Sequence, residues 1–228
     1  MKDDFGSLEE RLRTLIDPSR KASKSKFSIK KGIRYILEIA TVSAYLYITG
    51  PYIVDGFYND LGLVYAHFGK HEKAIACYTK SIAWEPKFKL PLLKDGIPYS
   101  YYNRGNAYDD LGKYDEAIRD YTKAIAKAME LNPKKLDSRY AEAYFNRAII
   151  YDGLKKYRES ISDNSKAIEL DPNYANAYYN RAIAYWHLDN RYNASEDFNN
   201  YLRINKNKGK DAEKVRKWIK DLGGRPRY

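Results

Sequence analysis

Small and aromatic residues recur at fixed positions along four segments, which begin at Asp55, Pro98, Ala141 and Ala175. Each segment has tyrosine at its fourth and eleventh positions and glycine or alanine at its eighth. Because residues at these spacings lie on one face of an α-helix, each segment is predicted to begin with a helix that packs by that face. A second small residue follows at the twentieth position. The tyrosines at positions 4 and 11 are predicted to be core residues.

Glycine and proline predict where these helices end. A turn is predicted at residues 68–71 and again at 111–114, because glycine ends a helix at low cost. Pro86, Pro133 and Pro172 are predicted to follow the ends of second helices, which proline cannot continue. The second segment has four extra residues before its proline, so its second helix is expected to be about one turn longer. Residues 89–97 are predicted to be a loop.

This arrangement resembles the tetratricopeptide repeat, a helix-turn-helix unit of 34 residues. The last two segments begin 34 residues apart, and the other spacings are 43. The resemblance covers residues 55–206, with repeats at 55–88, 98–135, 141–174 and 175–206. It implies an all-α fold, a right-handed superhelix of antiparallel helix pairs that stack because one pair cannot bury its own apolar face.

Residues 207–228 are predicted to be a capping helix followed by a basic tail. Val215, Trp218, Ile219 and Leu222 recur at helical spacing among charged residues. One face of this helix should therefore pack on the fourth repeat, with the charged face in water.

The net charge of +11 is concentrated outside the repeats. Residues 18–34 hold seven basic residues and no acid, and residues 203–228 hold ten basic residues and three acids. The repeats are therefore close to neutral, which argues against a nucleic-acid partner. Binding of nucleic acid by the tail is the weakest of the alternatives considered.

The N-terminal part divides into a charged lead, residues 1–34, with a short amphipathic helix, and an apolar segment, residues 35–54. Twenty residues with one charge, Glu38, are long enough to cross a membrane, and the basic lead would keep the N-terminus cytoplasmic. Glu38 and the break at Gly50 and Pro51 favour instead a soluble helix that caps the first repeat. Two locations stay open: cytoplasmic, or single-pass membrane with a cytoplasmic N-terminus.

The resemblance implies that positions 2, 5, 9 and 12 of each repeat line a concave groove, with asparagine at position 6 beside them. Amide and aromatic side chains suit the binding of an extended or helical peptide. The candidate groove residues are Tyr99, Tyr102, Asn103, Asn106, Asp109, Glu142, Phe145, Asn146, Ile149, Asp152, Asn176, Tyr179, Asn180, Ile183 and Trp186.

Family members that bind heat-shock chaperones hold a C-terminal carboxylate with lysine, arginine and asparagine at groove positions. Here the matching positions carry Tyr102, Asn176 and Asn180 where the family has its three cations. Since a carboxylate needs charged donors to be held tightly, a co-chaperone function is not expected.

The sequence contains no recognisable catalytic, metal or cofactor motif. His67 and His71 are four residues apart, but they lie on either side of the Gly69 turn. We therefore predict a non-enzymatic scaffold that binds a peptide segment of a partner protein in the groove. The alternative is a membrane-tethered organiser of a complex, anchored by residues 35–54. Self-association is also open.

Overall fold

The computed structural model describes residues 54–83, 96–131, 138–206 and 211–228. Within these ranges all regular secondary structure is helical. In chain order the helices are α1 (Val54–His67), α2 (His71–Ala83), α3 (Gly96–Asp110), α4 (Tyr114–Leu131), α5 (Ser138–Gly153), α6 (Tyr157–Leu170), α7 (Ala175–His187), α8 (Arg191–Ile204) and α9 (Ala212–Asp221).

The helices form four consecutive pairs, α1 with α2 through α7 with α8, and each second helix also packs on the first helix of the next pair. This confirms the all-α solenoid of helix pairs. Helix α4 has 18 residues where α6 has 14, so the extra turn predicted for the second repeat is present. Helix α3 begins at Gly96, so the loop predicted to run to residue 97 ends earlier. Pro98 is tolerated there because N–H groups in a first turn have no partner within the helix.

The turn between the two helices of each repeat has one residue in the left-handed region. That residue is Gly69 (φ 67°), Gly112 (φ 70°), Lys155 (φ 58°) or Asp189 (φ 56°). In every repeat the next N–H donates to the carbonyl of the tyrosine at position 11, at 2.8–2.9 Å. Glycine is the usual residue for this helix end, and two of the four turns form without it.

The core of each repeat is built around position 24, on the second helix. Tyr78, Tyr121 and Phe198 are buried there in repeats one, two and four. In repeat three the buried residue is Asn164, whose Nδ2 donates to the carbonyl of Ser160 at 2.9 Å. The small residue at position 8 is what lets the second helix bring these side chains so close.

The tyrosines at positions 4 and 11 are less buried than expected. Among them only Tyr144 is buried, and the others are half-buried. In repeats two to four an arginine at position 7 places its guanidinium carbon 5.5–6.0 Å from the centroids of both rings. In repeat one, Lys80 and Lys73 lie 5.2 and 5.8 Å from the ring centroids of Tyr58 and Tyr65. These tyrosines therefore flank a charged group rather than fill an apolar core.

Each of these arginines joins three helices. Arg147 on α5 donates from Nε and Nη2 to both carboxylate oxygens of Asp163 on α6, at 2.7 and 2.8 Å. Its Nη1 donates to the hydroxyl of Thr122 on α4, in the preceding repeat, at 2.7 Å. In repeat two, Arg104 bonds in the same way to Asp120 and to the hydroxyl of Thr79. In repeat four, Arg181 bonds to Asp197 and to the hydroxyl of Ser165.

Repeat one lacks this connection. Its positions 7 and 23 hold Leu61 and Cys77. Among the four repeats, the ion pair is therefore confined to repeats two, three and four.

Helix α9 packs on the fourth repeat, as expected of a capping helix. Val215, Ile219 and Leu222 form one buried cluster with Phe198 and Leu202 of α8. The face predicted from the spacing is the one that packs.

The segment after α9 is held against α8. The Asn199 side chain donates to the carbonyl of Arg225 at 3.2 Å and accepts from the N–H of Arg227 at 2.8 Å. The Arg227 guanidinium pairs with Glu196. Part of the positive charge of the predicted tail is thus neutralised by the fourth repeat.

The predictions for residues 1–34 and for 35–53 lie outside the described residues. Val54, predicted as the end of the apolar segment, begins α1. Among the helices that are described, none combines the length and the apolar character needed to cross a membrane.

Candidate functional site

The candidate groove residues lie on the first helices of repeats two to four, α3, α5 and α7. Neighbouring first helices are in contact, α1 with α3, α3 with α5 and α5 with α7. A residue on one first helix can therefore bond to the first helix of the next repeat. We call the candidate residues on α3, α5 and α7 the groove row.

The structure brings four of the candidates together between repeats two and three. The Tyr102 hydroxyl donates to Glu142 Oε2 at 3.0 Å. Asn146 Nδ2 donates to Asn106 Oδ1 at 3.1 Å and lies 3.3 Å from the Tyr102 hydroxyl. Burial raises the pKa of Tyr102, and its hydrogen bond with Asn106 opposes this. The Tyr102 hydroxyl therefore keeps its proton and can donate.

Asn103 bonds in the other direction, to repeat one. Its Nδ2 donates to Asn59 Oδ1 at 3.0 Å, and Ser100 Oγ lies 3.3 Å from the same oxygen. Asn106 also accepts from the hydroxyl of the buried Tyr121, at 2.6 Å. The asparagines are thus held in fixed orientations by neighbouring helices.

The network stops between repeats three and four. Phe145 and Ile149 occupy the positions that Tyr102 and Asn106 hold one repeat earlier, so no acceptor faces the next asparagine. Asn180 Nδ2 is buried and has no hydrogen-bond partner among the described residues. Phe145 packs against Tyr174, with ring centroids 4.9 Å apart, and Ile149 is 44% exposed.

In repeat four the candidates lie next to the capping helix. The centroid of the Trp218 ring on α9 is 6.2 Å from that of Tyr179 and 5.4 Å from that of Trp186. Ile183 packs against the same cluster. Trp186 is nevertheless 37% exposed. Sequence spacing alone could not indicate that α9 reaches these side chains.

The remaining candidates lie at the margins of the network. Tyr99 stacks on Tyr140, with centroids 6.3 Å apart, while Asn176 is exposed. Asp109 is half-buried, and its pKa is raised by burial and then by the charge of Asp110.

Asp152 is a second carboxylate of this kind. Burial raises its pKa, and the charge of His187 partly offsets this. Its Oδ1 is buried without a hydrogen-bond partner among the described residues.

No described group of side chains resembles a metal site. Within the part of the chain that the structure describes, no three histidine, cysteine or acidic side chains come together as metal ligands. His67 ends α1 and His71 begins α2, and His71 Nδ1 lies 3.1 Å from Asp110 Oδ2 of the next repeat.

Comparison with protein families gives one consistent result. Models of the tetratricopeptide repeat match residues 56–88, 98–135, 141–174 and 165–197. A search of curated protein sequences gave no significant match.

Three solved structures illustrate the similarity of the fold. BtubC (BKLC) from P. vanneervenii superposes with a TM-score of 0.65 at 20% identity, over 85% of this chain and 82% of that one. A tetratricopeptide repeat protein from Parabacteroides merdae superposes with a TM-score of 0.60 at 20% identity. The match covers 75% of this chain and 60% of the length of that protein. MamA superposes with a TM-score of 0.58 at 23% identity, over 82% of this chain and 98% of that one. At these identities the likeness concerns the fold alone.

Proposed function

Because the chain belongs to the tetratricopeptide-repeat family, we propose that it is a non-enzymatic scaffold whose groove row binds a peptide segment of a partner protein. The observation that supports this most is the hydrogen-bond network that joins Tyr102, Asn106, Glu142 and Asn146 across α3 and α5. It fixes polar side chains on the face where the family binds its partners.

A fixed network favours binding for a physical reason. Side chains that are already ordered lose little conformational entropy when a partner arrives, and this loss otherwise costs about 0.5–1.5 kcal/mol for each flexible side chain. Asn106 accepts from both Asn146 and Tyr121, so its orientation is set before any peptide binds.

The same face offers apolar contacts. Ile149 is 44% exposed and Trp186 is 37% exposed, although both are large apolar side chains. Residues of this type, placed near the centre of an interface, carry a large share of binding energy. A partner segment would cover these two side chains and bond to the amides beside them.

Site-specific photo-crosslinking tests the proposal. The crosslinking amino acid p-benzoyl-phenylalanine would replace Ile149 in the full chain, expressed in cells. The control would replace Leu154, which is 39% exposed, lies in the turn after α5 and is not a member of the groove row. The two positions have similar exposure and belong to the same repeat.

We expect the probe at position 149 to capture a defined partner, and mass spectrometry should find one peptide segment at the crosslink. The probe at position 154 should not capture that segment. Capture of the same segment at equal yield from both positions, or no capture at position 149, would contradict binding in the groove.

A further inference from the structure

The groove row is acidic although the chain is basic. Its charged members on α3 and α5 are Asp109, Glu142 and Asp152, and the row contains no lysine or arginine. The whole chain has 41 lysine and arginine residues against 30 acidic residues. The sign of charge on this face is therefore opposite to the net charge of the protein.

The arginines of the same helices do not neutralise this charge. Arg104 and Arg147 each bond to a carboxylate of their own second helix and to a hydroxyl of the preceding repeat. Neither arginine pairs with Asp109, Glu142 or Asp152. At the end of α7, the charge of His187 acts on Asp152 and partly offsets the rise in the pKa of that carboxyl.

Two buried polar atoms of the row also lack partners. Among the described residues nothing donates to Asp152 Oδ1 and nothing accepts from Asn180 Nδ2. One atom needs a donor and the other an acceptor. Because both atoms are shielded from solvent, these side chains would have to turn toward the groove before a basic side chain or a backbone carbonyl of a peptide paired with them.

The sign of charge on the row indicates the chemistry of the ligand. We infer that the segment bound by the groove row is cationic, with basic residues placed against Asp109 and Asp152 near the C-terminal ends of α3 and α5 and against Glu142 near the start of α5, and a large apolar side chain against Ile149. This inference rests on the proposed function and deepens it. A carboxylate or phosphate group on the same segment would meet like charge.

Partial burial strengthens such a contact. Asp109 and Asp152 are half-buried, so a cation beside them is less screened by water than it would be on an open surface. A charge-assisted hydrogen bond is roughly twice as strong as a neutral one. Binding should therefore depend on the positive charge of the peptide and weaken as salt is added.

The test is selection from a display library of random 12-residue peptides on the full chain, followed by affinity measurement of the selected peptides. Two doubly substituted proteins would be compared with the parent. The groove variant is Asp109→Asn with Asp152→Asn. The control variant is Asp115→Asn with Glu159→Gln, which removes the same charge from exposed sites on the second helices α4 and α6.

We expect the selected peptides to be enriched in lysine or arginine. They should bind the groove variant at least tenfold more weakly than the parent and bind the control variant within about twofold. Replacing their basic residues by glutamate should abolish binding. Circular dichroism of both variants checks that the fold is kept.

The outcomes separate the two proposals. One outcome is that the selected peptides block crosslinking from the probe at position 149 and yet contain no more lysine and arginine than the starting library. That result would overturn this inference and leave the proposed function standing. Basic peptides that bind the groove variant as tightly as the parent would also overturn it. A library that yields no binder sensitive to substitution of Ile149 would contradict the proposed function, and this inference with it.

Discussion

The ring of Tyr121 occupies the space that a side chain on Gly105 would need. A Cβ atom placed on Gly105 would lie 2.9 Å from Cδ1 and Cε1 of that ring, closer than atoms of this kind approach in proteins. Tyr121 is fully buried, and its hydroxyl donates to Asn106 of the groove row. The close approach of α3 and α4 thus also positions a groove residue.

We therefore predict that Gly105→Ala destabilises the fold by about 1–3 kcal/mol, the usual cost of overpacking a core. The control is Gly153→Ala at the end of α5, where a Cβ would meet no heavy atom within 4 Å. That substitution should be neutral or stabilising by up to about 1 kcal/mol, because alanine favours the helix. Urea unfolding measures both, and equal stability of the two variants would contradict the packing.

The turn residues allow a reciprocal exchange. Lys155 has φ 58° at the position where Gly112 has φ 70°. Because the left-handed region costs a residue with a Cβ about 1–2 kcal/mol, Lys155→Gly should raise the midpoint of thermal unfolding, and Gly112→Lys should lower it. The larger backbone entropy of unfolded glycine reduces the first effect. A fall in midpoint for Lys155→Gly would show that the lysine makes a compensating contact.

The ion pair of Arg147 and Asp163 gives a third prediction. Removing either partner leaves a buried charge, which typically costs about 3–5 kcal/mol. The double substitution Arg147→Leu with Asp163→Cys installs the pair that repeat one has at these positions, Leu61 and Cys77. The double variant should recover a large part of the stability that each single substitution loses. A double-mutant cycle measured by urea unfolding gives the coupling, and additive losses would contradict the pairing.

The carboxyl of Asp152 should make stability depend on pH. Burial raises its pKa in the folded chain, so its contribution is greatest below the unfolded pKa and is lost as pH rises through the folded pKa. The variant Asp152→Asn, which cannot ionise, should gain stability over the parent as the pH rises above about 4, the ordinary pKa of aspartate. Unfolding measured at several pH values tests this, and a difference that does not change with pH would refute it.

Much of the fold could be predicted from spacing. The positions of the small residues and turn glycines predicted the helix pairs, and the apolar spacing from Val215 to Leu222 predicted the packed face of α9. These features are local, because they depend on which residues share a helical face. The length of α4 could be predicted for the same reason.

The arginine network was missed although the sequence contains its signal. An arginine at position 7 and an aspartate 16 residues later recur in repeats two, three and four. The tyrosines at positions 4 and 11 flank this arginine, and their spacing predicted instead that they fill the core themselves. An oppositely charged pair that recurs at constant spacing from repeat to repeat indicates an ion pair between the two helices of each repeat.

The candidate site could be predicted only in part. The members of the groove row were predicted from the resemblance to the tetratricopeptide repeat. The hydrogen bonds among them depend on how side chains of two neighbouring helices are paired, which the resemblance does not give. The contact of Trp218 with Tyr179 and Trp186 depends on how α9 lies on the stack. No periodicity within one helix contains that information.

The most direct test of the central claim is nuclear magnetic resonance of the full chain titrated with a selected peptide. The probes are the Trp186 indole N–H and the Asn176 and Asn180 side-chain amides on α7, with the Asn193 and Asn200 amides on α8 as controls. Binding in the groove predicts that the α7 signals shift in proportion to bound peptide while the α8 signals stay in place. Shifts confined to α8 would contradict it.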